Sequence, residues 1–125
     1  MLATAEMHSM CGEVWQNAQQ LYGWRVGRDV LMPDHVHFFC APSSDSHPLE
    51  IFVGKWKKWT SKYAHRRLGL NTPLWQKEFF DHVLRSSENY AEKSEYVRHD
   101  PLRAKLVSAA EDWPYQGELH DLRYD

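Results

Sequence analysis

Residues 31–40 read Leu-Met-Pro-Asp-His-Val-His-Phe-Phe-Cys. The apolar run is typical of a β-strand, and the Pro-Asp pair before it is typical of a tight turn. Residues 24–32 alternate between apolar and polar side chains, which predicts another strand. The two strands, 24–32 and 35–41, are therefore expected to form an antiparallel hairpin.

Helical patterns lie on both sides of this hairpin. From about Ala3 to Tyr22, apolar residues recur at steps of three and four. Residues 49–68 form a second helical segment, which Gly69 is expected to close. Phe52, Trp56, Trp59 and Tyr63 share one face of this segment. We expect that aromatic face to pack on the sheet.

The second half of the chain adds a strand and two shorter helices. Residues 75–85 have an extended pattern, and Ser86 begins a helix that runs to about His99. Asp100, followed by proline, is a good N-cap for a last helix over 102–110. The acidic remainder, 110–125, is expected to be a loosely held tail. Strands with helices on one face make an α+β layer fold, and we expect a single domain over 1–125.

The composition excludes several classes of protein. The chain has 125 residues, of which 42% are hydrophobic, so it can bury a core. No apolar run approaches the ~20 residues of a membrane span, and the N-terminus has no signal-peptide pattern. Two cysteines do not make a disulfide framework, which favours a reducing, cytoplasmic setting.

The charge is unevenly distributed. The net charge is −2, which does not indicate a nucleic-acid-binding protein. A basic stripe nevertheless follows one face of the segment 49–68, at steps of three, four and four residues. Its members are Lys55, Lys58, Lys62 and Arg66. A solvated lysine face is the ordinary interpretation of such a stripe, and a phosphate-binding surface is the functional one.

The pair His35 and His37 is the strongest chemical signal in the chain. Alternate residues of a strand point to the same face, roughly 7 Å apart, so two imidazoles can share one metal ion. Many such pairs are incidental, and a third ligand is needed to make a metal site. Asp100 is a candidate, and Tyr96, four residues before it, would share a helical face with it if the helix continued that far. Periodicity alone does not distinguish Tyr96 from Tyr90.

Several segments together resemble the REP-associated tyrosine transposases, a branch of the single-tyrosine HUH transposases of the IS200-like type. The segments occur in the family's order and spacing. They are residues 32–38 (MPDHVHF), 74–76 (LWQ), 79–85 (FFDHVLR), 96–104 (YVRHDPLRA) and 112–115 (DWPY).

The resemblance implies a fold, an activity and site residues. The fold would be a ferredoxin-like antiparallel sheet of the HUH type. His35, His37 and Asp100 would hold a divalent metal, Mg²⁺ or Mn²⁺, although relatives usually carry Asn or Gln at the position of Asp100. Tyr96 would be the nucleophile that forms a 5′-phosphotyrosine link with single-stranded or hairpin DNA. The basic stripe would bind that DNA, together with Arg85 and Arg103.

One expected element has no counterpart in the sequence. Relatives begin with a strand before the first helix, whereas this sequence starts directly at the helix. An upstream start codon, a truncation or a homodimer partner that fills the gap would each explain the difference. The leading functional hypothesis is DNA nicking and strand transfer. The alternatives are a DNA hairpin-binding protein that does not cut and a small metal-dependent phosphohydrolase.

Overall fold

The computed structural model of the protein describes residues 2–43, 45–70, 74–75, 80–85 and 90–122, with the backbone alone at 80–85. Helices and strands alternate irregularly along the chain. In order, they are α1 (Ala5–Gln16), α2 (Ala18–Tyr22), β1 (Trp24–Leu31), β2 (His35–Pro42), α3 (Leu49–Leu68), β3 (Phe80–Arg85), α4 (Tyr90–Arg98), α5 (Asp100–Arg103), a 3-10 helix (Ala110–Asp112) and β4 (Gln116–Glu118).

The strands form one sheet with the order β3-β2-β1-β4. The predicted hairpin is confirmed, since β1 pairs antiparallel with β2, and β4 pairs antiparallel with the other edge of β1. The α+β class is therefore confirmed. The sheet is not antiparallel throughout, because β3 pairs parallel with β2. Helix α3 connects these two strands and carries the chain back along the sheet, as a crossover between parallel neighbours must.

Helices cover both faces of the sheet, which corrects the expectation of a single helical face. Phe38 packs against the aromatic rings of α1 and α3, and its ring centroid lies 4.9 Å from that of Trp56. Phe39 instead meets Tyr90 of α4, at 5.3 Å. Because neighbouring residues of a strand point to opposite faces, α4 lies across the sheet from α1 and α3.

The face under α1 and α3 is a stacked aromatic core. Trp56 is fully buried, and its ring lies 5.9 Å from that of Trp15 and 4.9 Å from that of Trp75. The α3 bounds are those expected, and Gly69 closes the helix with a left-handed backbone, φ 69°. Of the predicted aromatic face of α3, Phe52 and Trp56 are buried, whereas Trp59 and Tyr63 lie half-buried at the edge of the core.

The last helix ends much earlier than expected. We predicted a helix over 102–110, but α5 stops at Arg103 and the chain turns at Lys105, whose φ is 61°. The Leu106 amide donates to the Pro101 carbonyl and the Lys105 amide to the Leu102 carbonyl. These two bonds form a Schellman motif, which usually uses glycine at the left-handed position. A lysine there gives no sequence signal for the helix end.

The C-terminal residues are packed rather than loose as far as Leu122. Trp113 donates from Nε1 to the Leu31 carbonyl, at 3.0 Å, and Leu122 is buried. Strand β4 extends the sheet beside β1. No disulfide joins Cys11 to Cys40, and both are buried. Within the described residues, no helix has the length and apolar character needed to cross a membrane.

Candidate metal centre and tyrosine

His35 and His37 lie on β2 and face α4, as strand alternation predicts. The turn at Pro33–Asp34 starts the strand, and the Met32 amide donates to the His35 carbonyl at 2.7 Å, which closes the hairpin. The two imidazoles meet edge to face, with their Nε2 atoms 3.0 Å apart. The backbone of β2 therefore presents two nitrogen ligands side by side.

Asp100 completes a three-ligand cluster with these histidines. Its Oδ2 lies 3.1 Å from His37 Nε2 and 3.4 Å from His35 Nε2. We predicted that Asp100 caps the last helix, but it is the first residue of α5 and follows His99 at the N-cap position. Its side chain is half-buried and turned to the histidines. Among the described residues, this is the one group of three His, Cys or acidic side chains that could hold a metal ion.

The distances fit one small divalent ion. Ligand atoms bonded at about 2.1 Å, at right angles around an octahedral ion, lie ~3.0 Å from one another. The three separations in the cluster, 3.0, 3.1 and 3.4 Å, are close to that value. Imidazole nitrogens and a carboxylate oxygen are suitable ligands for Mn²⁺ and, through the oxygen, for Mg²⁺. The cluster therefore fits a divalent metal.

Asp34 is a functional candidate that the sequence did not reveal. His35 Nδ1 donates to Asp34 Oδ1 at 2.6 Å. With that proton fixed on Nδ1, the Nε2 lone pair of His35 faces the cluster. A carboxylate bonded to the far nitrogen of a ligand histidine fixes the orientation of the ring. The sequence showed Asp34 only as a turn residue, because its contact depends on the rotation of the His35 ring.

The charges around Asp100 keep it ionised. Burial raises the pKa of its carboxyl, but His37, His35 and Arg103 together outweigh burial and hold that pKa below its usual value. Arg103 contributes through Nη2, which donates to Asp100 Oδ1 at 3.1 Å. An ionised carboxylate is the form that binds a metal ion.

The two tyrosines of α4 occupy opposite environments. Tyr90 is buried, donates to Glu118 Oε2 at 2.7 Å and accepts from the Arg28 amide at 2.8 Å. Burial, and then the bond with Glu118, raise the pKa of its hydroxyl well above the usual range. Tyr96 is 67% exposed, and its ring lies under the guanidinium of Arg103, 3.9 Å from the centroid. Of the two, Tyr96 is the one that a large substrate can reach.

The predicted DNA-binding residues are divided between the two faces of the sheet. Arg103 lies at the cluster, whereas the basic stripe follows α3 on the opposite face. Lys55, Lys58 and Arg66 are exposed, and half-buried Lys62 has its ammonium 5.1 Å from the Trp59 ring. Arg85 lies in β3 opposite Cys40, and its side chain lies outside the described residues. The structure thus separates the stripe from the metal cluster by the thickness of the sheet.

The chain matches a known protein family over most of its length. The family model described as IS200-like transposase matches residues 1–100. The chain belongs to the IS200-like transposase family. This match includes all four residues of the predicted site, since His35, His37, Tyr96 and Asp100 lie within it.

Two curated relatives are similar to the chain. A REP-associated tyrosine transposase of Escherichia coli is 26% identical over 87 residues, which are 69% of this chain and 49% of that protein. A putative REP-associated tyrosine transposase of Haemophilus influenzae is 22% identical over 102 residues, 74% of this chain and 58% of that protein. The chain thus spans about half the length of the curated relatives it matches. No solved structure matches it significantly.

Proposed function

We propose that this protein is a single-tyrosine HUH transposase that nicks and rejoins single-stranded or hairpin DNA. One observation carries the proposal. Two histidines of β2 and a carboxylate of α5 bring their ligand atoms close enough together to bind one metal ion. The exposed Tyr96 contacts Arg103, which also donates a hydrogen bond to that carboxylate. The family supports a transposase, and the relatives' names support a tyrosine-dependent one.

His35, His37 and Asp100 would hold the divalent ion, Mg²⁺ or Mn²⁺. A divalent ion bound there supplies Lewis-acid chemistry, because it withdraws negative charge from a phosphate oxygen and favours attack at phosphorus. The protein's own contribution is to keep the ligands in the right protonation state. Asp34 holds the His35 proton on Nδ1, and His37, His35 and Arg103 together keep Asp100 ionised.

Tyr96 would make the covalent bond. Its Oη attacks a phosphorus of the DNA backbone in line, a bond forms between Oη and phosphorus, and the bond from phosphorus to the 3′ oxygen breaks. The phenolic proton leaves Tyr96, and the released 3′ oxygen gains a proton. The 5′-phosphotyrosine conserves the energy of the broken ester. A second 3′-hydroxyl can therefore reverse the step and join a new strand without ATP.

The basic stripe on α3 would bind backbone phosphates of the same DNA. Its cations are spaced along one helix and mostly exposed, which suits contact with successive phosphates. Because the stripe and the cluster lie on opposite faces, a DNA molecule that contacts both must pass around an edge of the sheet. A folded hairpin with a single-stranded flank has the two parts that this arrangement needs.

Formation of the covalent adduct tests the proposal. The protein is incubated with single-stranded hairpin DNA and Mn²⁺, and the products are separated on a denaturing gel. We expect an adduct for the wild type and for Tyr90→Phe, and none for Tyr96→Phe. An adduct that survives Tyr96→Phe would contradict the assigned nucleophile. Tight binding without any adduct would favour a non-cutting hairpin-binding protein, and cleaved product without a covalent species would favour a phosphohydrolase.

The metal ligands are tested by separating cleavage from binding. We expect His35→Ala to abolish the adduct and to leave the DNA dissociation constant within about threefold, because the histidine contacts the ion rather than the stripe. Chelation of the metal should have the same effect on the wild type. Equal loss of binding in His35→Ala would mean that the histidine is structural or contacts DNA directly.

Assembly and cellular setting are further parts of the proposal. The two buried cysteines without a disulfide fit a cytoplasmic, reducing compartment. A homodimer would place two such sites on one DNA. Because Tyr96 meets Asp100 through Arg103 of its own chain, we expect a mixture of Tyr96→Phe and His35→Ala to stay inactive. Restored adduct formation in that mixture would show that Tyr96 acts across a dimer.

A further inference from the structure

Arg103 connects Tyr96 to the metal cluster by two contacts. Its guanidinium carbon lies 3.9 Å from the centroid of the Tyr96 ring. Its Nη2 donates to Asp100 Oδ1 at 3.1 Å, and the other oxygen of Asp100 faces His37 Nε2. A continuous series of contacts therefore runs from the tyrosine ring to the imidazoles.

We infer that Arg103 is a positioning residue that holds the Tyr96 ring beside the metal ligands and fixes which oxygen of Asp100 faces them. The inference rests on the proposed function, and it assigns Arg103 a role other than the phosphate contact expected from the sequence. Its guanidinium stacks on the Tyr96 ring and donates to Asp100, and both partners are protein groups of the candidate site.

The exposure of Tyr96 makes such a residue necessary. A side chain that is 67% exposed at the end of a helix has several rotamers open to it. Attack at phosphorus requires one of them, and a displacement of about 1 Å can cost ~100-fold in rate. The guanidinium over the ring favours one rotamer through a cation–π contact.

Only an arginine can make both contacts at once. The guanidinium is planar, so one face can stack on the tyrosine while an N–H in its plane donates to the carboxylate. A lysine ammonium is a compact charge and cannot cover a ring and donate in that fixed geometry. Arg103→Lys therefore keeps the charge and removes the geometry, which separates positioning from general electrostatics.

Arg67 provides a matched control on the opposite face of the sheet. Its guanidinium carbon lies 4.8 Å from the centroid of the Tyr63 ring, and its Nη1 donates to Glu13 Oε2 at 3.1 Å. It thus makes the same two kinds of contact, far from the metal cluster. Any general effect of removing a stacked, paired arginine should appear in Arg67→Ala as well.

The kinetic test measures the rate of adduct formation at saturating hairpin DNA and Mn²⁺. We expect Arg103→Lys and Arg103→Ala to slow the reaction ~10- to 100-fold, with the DNA dissociation constant within about threefold of wild type. Arg67→Ala should keep the wild-type rate. A wild-type rate in Arg103→Lys would overturn the inference, and so would a weakening of DNA affinity that accounts for the whole effect, since that indicates a phosphate contact.

A second measurement needs neither DNA nor metal. In protein labelled at its tyrosine rings, the Tyr96 NMR signal is assigned by its loss in Tyr96→Phe. We expect Arg103→Lys to shift this signal, and Asp100→Ala to shift it too because it releases the guanidinium. Arg67→Ala should shift the Tyr63 signal instead. A Tyr96 signal that is the same in wild type and Arg103→Lys would overturn the contact.

The two measurements distinguish failure of this inference from failure of the proposed function. If the wild type forms no adduct while Arg103→Lys moves the Tyr96 signal, the proposed function is wrong and the contact is supported. If the wild type forms an adduct and Arg103→Lys forms it equally fast, the proposed function stands and the positioning role is wrong.

Discussion

Phe38 and His37 are neighbours on β2, yet they belong to different parts of the molecule. Phe38 points into the buried aromatic core beneath α1 and α3, where it packs against the rings of Trp15 and Trp56. His37 points to the other face, where α4 and α5 bring a carboxylate and an exposed tyrosine. The first face carries the stacked tryptophans of the core. The second packs Phe39 on Tyr90 and also holds the polar side chains of the candidate site.

The largest effect on folding is expected from the core face. Trp56→Ala removes a fully buried ring from a stack with Trp15 and Trp75, and we expect a loss of about 3–5 kcal/mol in the free energy of unfolding. Chemical denaturation measures it. Trp59→Ala is the control on the same helix, because its ring is half-buried, and its loss should be clearly smaller. Equal losses would mean that the core is not centred on Trp56.

Metal binding should stabilise the protein through the other face. At a Mn²⁺ concentration 100 times its dissociation constant, we expect a gain of about 2.7 kcal/mol in the free energy of unfolding, seen as a rise in Tm. His37→Ala should remove that gain. His120→Ala, which deletes an exposed imidazole outside the cluster, should keep it. If Mn²⁺ does not change the Tm of the wild type, the candidate metal centre is contradicted.

The two tyrosines of α4 allow a buried and an exposed position to be compared within one helix. Tyr90→Phe removes a buried hydroxyl and leaves Glu118 and the Arg28 amide without that partner, so we expect a loss of about 1–3 kcal/mol. Tyr96→Phe changes an exposed ring and should alter the free energy of unfolding by less than about 0.5 kcal/mol. Thermal and chemical denaturation compare them. The comparison fails if Tyr96→Phe is the more destabilising of the two.

The basic stripe should affect DNA binding with the least effect on folding. We expect Lys58→Glu combined with Lys62→Glu to weaken DNA binding and to reduce the slope of log affinity against log salt by about 1.5, since two phosphate contacts are lost. Gln19→Glu with Gln20→Glu adds two charges to exposed positions of α2 and should leave the slope unchanged. An unchanged slope in the lysine variant would mean that the stripe is only a solvated lysine face and does not bind phosphates.

Elements with local signals could be predicted from the sequence. Helix α3 has the expected bounds, because a regular apolar period and a glycine that adopts a left-handed backbone define it locally. The end of α5 could not be predicted in the same way. Lys105 adopts the left-handed conformation there, and only the two bonds that close the motif show why the helix stops.

Part of the candidate site could also be predicted from local signals. His35 and His37 had to share a face, because side chains alternate along any strand. Periodicity did not distinguish Tyr96 from Tyr90; the family resemblance pointed to Tyr96, and the structure adds that Tyr90 is buried whereas Tyr96 is exposed. The roles proposed for Asp34 and Arg103 required their contacts. The sequence predicted that the basic stripe follows one face of a helix. It did not predict that this helix lies on the opposite side of the sheet from the metal cluster.

The sequence by itself determined the local pieces: a hairpin with two imidazoles on one face, a basic helix, and a tyrosine four residues before a carboxylate. Their period and end signals act over a few residues and do not depend on the rest of the fold. Only the tertiary structure decided that α4 crosses the histidine face and that α3 covers the other. That choice depends on which side chains of β2 each helix can bury, Phe38 with α3 and Phe39 with α4, and those partners are far apart in the chain.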